Sequence, residues 1–153
     1  MRWQSYCRRN VTGTDLEHVL SLEFASAVPV PVEAFARYLG IRCETIQGDV
    51  NSLLVTRKHV GLWLADANES ERRYAIAHGL GHLLLGDTCV HETSDHEHSR
   101  NHQRARDFAA TLLMPPVAWF ATLEKMGENP RALARYFIVP ESLVEIRLGM
   151  TRD

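Results

Sequence analysis

The segment His78-Gly79-Leu80-Gly81-His82, set inside a strong helical pattern from about Glu71 to Leu85, constrains this chain more than any other feature. Asn68-Glu69-Ser70-Glu71 introduces the pattern and Gly86-Asp87 stops it. Residues four apart on a helix lie on one face with Cβ atoms about 5 to 6 Å apart, so both imidazoles can reach one metal ion. Spacing alone decides little, because eight histidines in 153 residues yield roughly 0.4 such pairs by chance. His98 and His102 form a second pair at the same spacing. A glycine inside a helix costs roughly 0.5 to 1 kcal/mol relative to alanine. Gly81 therefore implies a strand or helix that approaches closely there.

Thr14-Asp15-Leu16-Glu17 reads as a capping box opening a helix with apolar positions at Leu16, Val19, Leu20, Leu22 and Phe24, ending near Ala27. Pro31 can start a second helix with Val32, Phe35, Ala36 and Leu39 as its stripe and Gly40 as its C-terminal cap. Apolar and β-branched runs at Ile41 to Ile46, Ser52 to Thr56 and Val60 to Leu64 read as a sheet of about three strands. After the histidine helix comes a polar loop from Thr88 to about Arg100. A helix over roughly 101–113 follows, ended by Met114-Pro115-Pro116. Three further helical segments are expected around Trp119 to Met126, Pro130 to Phe137 and Pro140 to Leu148. The class is α+β, with helices packed around a small sheet and the helix at about 71–85 facing the one at about 101–113. No repeat or long linker divides the chain, so residues 1–153 read as a single domain.

The run from Arg72 to Leu85 resembles the active-site helix of ImmA/IrrE metallopeptidases, and Ala105 to Pro115, with its Phe108-Ala109-Ala110 and Leu112-Leu113-Met114-Pro115, resembles that family's second helix. The likeness extends over nearly the whole chain. It implies a zinc site whose first helix supplies two histidines with a general-base glutamate directly after the first, and whose second helix supplies a carboxylate as third ligand. Carried over by position, the ligands fall on His78, His82 and His102, and the base falls on Gly79.

Glycine has no group to take a proton from water, and general-base loss typically costs about 10² to 10⁴ in rate. The space it leaves is open to a loop side chain such as His96 or His98. His102 in place of a carboxylate is compatible with zinc, since three imidazoles form a known catalytic arrangement; alternatively His102 caps the start of its helix. Arg106 stands one turn after His102, where the resemblance expects asparagine or aspartate, and it can pair with Asp95 or Glu97. His96 and His98 are possible extra ligands, and a fourth protein ligand would close the coordination sphere. As substitute bases, Glu71, Glu92 and Glu97 are the nearby carboxylates.

A net charge of -2 supplies no field for a nucleic-acid backbone, so no direct nucleic-acid binding is expected, although the stretch from Arg131 to Leu148 faintly resembles a helix-turn-helix. No apolar window is long enough to span a membrane. Cys7, Cys43 and Cys89 are odd in number and unpatterned, which suits reduced thiols in the cytoplasm. The resemblance implies a partner as well: relatives act on helix-turn-helix repressors. Three functions stay open on this reading: a degenerate peptidase that binds a repressor-type protein, an active zinc endopeptidase with a substitute base, and a metal-free interaction domain.

Overall fold

The computed structural model describes residues 27–48, 51–55, 60–85, 89–91 and 100–153. The helix expected from Thr14 and most of the loop before Arg100 lie outside the described residues. Helix α1 spans Val32–Tyr38 and buries Val32, Phe35 and Ala36. Gly40 follows it with φ 79°, a left-handed value that favours glycine, and its N–H donates to the Arg37 carbonyl at 2.9 Å.

Strands β1 (Ile41–Ile46), β2 (Ser52–Val55) and β3 (Val60–Ala65) form where the apolar runs lie, and β4 (Cys89–His91) joins them to give the order β1-β3-β2-β4. The sheet thus has four strands rather than about three. β1 pairs parallel with β3 from Ile41 opposite Val60 to Ile46 opposite Ala65, and β2 lies antiparallel to both β3 and β4. A three-residue strand inside a polar loop has too short a pattern to be read as one. Its pairing from Ser52 opposite His91 to Leu54 opposite Cys89 covers an edge of β2 that would otherwise leave backbone groups unpaired.

Helix α2, Glu69–Leu84, is buried continuously from Ala75 to Leu84. Its start is capped as the sequence requires: Asn68 Oδ1 accepts from the Glu71 N–H at 3.0 Å and from the Ser70 hydroxyl at 2.8 Å. Leu62 and Leu64 of β3 project from the sheet into the core that holds Ile76, Leu80 and Leu83 of α2. Arg73 fixes the helix further, donating to the carbonyls of Val30 at 2.6 Å and Ile138 at 3.0 Å.

Helices α3 (Arg100–Leu113), α4 (Pro116–Met126), α5 (Pro130–Phe137) and α6 (Glu141–Arg152) complete the fold. Pro115 and Pro116 end α3 and open α4, as the proline pair dictates. Trp119 of α4 is fully buried, donates from Nε1 to Thr151 Oγ1 at 2.8 Å and lies under the Arg147 guanidinium at 5.4 Å. Arg147 also donates from Nε to the Met114 carbonyl, so α6 holds the turn after α3. Helices on a small mixed sheet make the α+β class.

Candidate metal centre

The site is built where α2 and α3 touch. At Gly81 an added Cβ would stand 2.8 Å from both the Cα and the carbonyl oxygen of Ala105, and 3.1 Å from its Cβ. The close approach that a helical glycine implies is therefore real, and it is made by the backbone of α3. His102 lies three residues before Ala105, on the same side of α3, and this contact brings it to the two histidines of α2.

His78, His82 and His102 are all buried, at 2%, 3% and 8% relative exposure. One ring nitrogen from each lies within 4.8 Å of the others. The Nε2 atoms of His78 and His82 are 2.9 Å apart, and the ring centroid of His78 is 4.5 Å from that of His102. Burial foremost, then the neighbouring His82, His102 and Arg106, push the His78 pKa down to about 3. His78 is thus neutral at physiological pH, the form that binds a metal. Tyr74, one turn earlier on α2, places its hydroxyl 3.2 Å from His78 Nδ1. With the Nδ1 proton donated to that hydroxyl, Nε2 keeps its lone pair directed at the cluster.

The donor set fits a divalent transition metal such as zinc: three neutral imidazoles, mutually close and shielded from water. Among the described residues no carboxylate joins this group. Glu71 is exposed in the first turn of α2 and stays outside it. His96, His98, Asp95, Glu92 and Glu97 lie outside the described residues.

Gly79 faces the sheet instead. A Cβ there would collide with Leu62 Cδ2 and stand 3.3 Å from Leu62 Cδ1. Leu62 is a core residue of β3, 3% exposed. The position a Cβ of residue 79 would take is thus filled by an aliphatic side chain from the sheet. Arg106 is partly exposed, but its Nε is buried and has no hydrogen-bond partner among the described residues.

Two of the residues that shape the site were not anticipated. Tyr74 carries a readable signal, since it stands four residues before His78 on the same helix. Leu62 carries none, because its meeting with Gly79 depends on how α2 lies across the sheet.

A search of curated proteins finds no match to this chain. The family model for the IrrE N-terminal-like domain matches residues 53–149, a span that holds β3, β4, all of β2 but Ser52, both site helices and all three histidines. On that match, over more than half its length, the chain belongs to the IrrE N-terminal-like domain family of metallopeptidase-fold proteins.

Proposed function

We propose that this chain is a cytoplasmic, degenerate member of its family that holds zinc through His78, His82 and His102 and acts by binding a repressor-type regulatory protein rather than by cutting it. The family is in general zinc-dependent, and three buried histidines could form a metal site. No helix among the described residues is long and apolar enough to cross a membrane. The observation that carries the reading is Gly79 packed on Leu62, which leaves position 79, directly after the first histidine, without a carboxylate.

When bound, zinc would supply Lewis-acid polarisation. The chain's own residues do the rest: three imidazoles would hold the ion, and the Tyr74 hydroxyl, 3.2 Å from His78 Nδ1, would accept that nitrogen's proton and leave Nε2 free for the metal. Hydrolysis would further need a base aligned with the attacked bond, and its loss costs about 10² to 10⁴ in rate. A protein partner, rather than nucleic acid, suits the C-terminal pair: Leu133, Phe137, Leu143, Val144 and Leu148 are buried in the core, and the chain's net charge of -2 offers a phosphate backbone no attractive field.

Zinc titration and co-expression with a helix-turn-helix repressor test this together. The expected outcome is one zinc per chain, recovery of the repressor in complex and no cleavage. Zinc-dependent cleavage that disappears in His78→Ala would replace the binding reading with an active endopeptidase.

A further inference from the structure

We infer that Arg106 and the three histidines form a carboxylate-binding site, in which the guanidinium receives an acidic side chain or a chain-terminal carboxylate of a bound protein. The inference rests on the binding role proposed above and names the chemistry its partner must present. Arg106 stands one turn after His102 on α3 and next to Ala105, the residue on which Gly81 is packed, so its stem starts beside the cluster. Its Nε is buried yet makes no hydrogen bond, and Arg106 forms no ion pair among the described residues. A buried, unsatisfied guanidinium nitrogen is costly, and natural structures retain one where something else completes it.

The surrounding charge says what completes it. No carboxylate belongs to the described cluster. Asp107, the adjacent acid, is exposed and makes no ion pair with Arg106 among the described residues. Among the described residues the Arg106 charge therefore has no paired carboxylate, and a divalent ion would add to it. Neutral donors would meet a cation with no lone pair to offer. A carboxylate matches the planar fork of arginine and is held by charge-assisted hydrogen bonds. The partial exposure of Arg106 leaves a way in from solvent.

The test follows the histidine ring signals of the full chain by NMR, with and without one equivalent of zinc, during titration with three peptides. Acetyl-trialanine with a free C-terminus offers a terminal carboxylate, its C-terminal amide offers none, and an amidated acetyl-Ala-Glu-Ala offers a side-chain carboxylate. One or both acids are expected to shift the His78, His82 and His102 signals, and which of them does so identifies the source; the amide should bind at least about tenfold more weakly. Arg106→Gln should abolish the preference for acid over amide, and Arg106→Lys should retain part of it. Equal binding of acid and amide by the wild-type chain, a comparison that needs no variant to fold, overturns the inference. So does an undiminished preference in Arg106→Gln. If zinc fails to bind while the Arg106-dependent preference persists, the zinc reading fails and this one stands. If zinc binds and the preference is absent, the reverse holds.

Discussion

Gly79 and Gly81 sit two residues apart in one buried helix, yet they meet opposite kinds of neighbour. Gly81 lies against the backbone of Ala105, which cannot yield without separating α2 from α3. Gly79 lies against the tip of Leu62, a side chain that can change rotamer. The first glycine is a condition for the histidines meeting at all. The second is a condition only for the present packing on the sheet, so the face of α2 that holds the ligands is rigidly specified and the face that lacks a base is adjustable.

The largest effect expected on the α3 side is from His78→Ala, which removes one of three ring donors while leaving the Gly81 contact in place. Zinc affinity, read by competition with a coloured chelator, should fall by more than the 10- to 100-fold typical of losing an outer-shell partner. Unchanged affinity would mean that the metal, if bound, lies elsewhere.

Next in size is Gly81→Ala. Overpacking against backbone costs about 1 to 3 kcal/mol, against a helix-propensity gain of roughly 0.5 to 1 kcal/mol. Urea unfolding should show a net loss, and weaker zinc binding should accompany it as His102 is displaced. A stabilised variant would remove the claim that this contact is tight.

On the sheet side, Gly79→Glu and Leu62→Ala should be coupled. Glutamate is the better helix former, but its Cβ displaces Leu62, so Gly79→Glu alone is expected to destabilise. Combining the two should recover at least about 0.5 kcal/mol relative to the sum of the single changes, the signature of residues in contact. Strict additivity in the unfolding cycle would show that Leu62 does not hold that space.

The smallest effect is expected at the outer end of α2, where Arg72 donates to both carboxylate oxygens of Glu33, at 2.9 and 3.3 Å. The hydrogen bond from Arg72 holds the Glu33 carboxyl below its ordinary 4.5. Because the folded pKa is the lower one, the contribution is present above pH 4.5 and is lost as pH falls through the folded value. The pair is only partly buried and still reached by solvent, so screening keeps its worth to about 1 kcal/mol or less. Glu33→Gln should flatten the acid limb of the stability curve and leave zinc affinity untouched; a change in zinc affinity would mean that the two ends of α2 are coupled.

Local chemistry by itself determined much of this protein. Asn68 and Gly40 set helix ends by side-chain capping and left-handed backbone, Pro115 and Pro116 separate α3 from α4, and the four-residue spacing puts His78 and His82 on one face. Each of these depends on neighbours within a turn or two, and the helical period carries that information in the order of residues. The third histidine was reachable from the sequence only through resemblance, since nothing in its own surroundings tells a ligand from a cap.

Tertiary structure alone decided the rest. Whether His102 meets the α2 pair depends on how closely the helices approach, which the Gly81–Ala105 contact sets. That Leu62 lies beside Gly79 depends on how α2 crosses β3, and the pairing of β4 with β2 depends on an edge formed by strands far away in the chain. Such contacts join residues whose separation no local period encodes. Packing therefore placed an aliphatic side chain where the motif had suggested an open space.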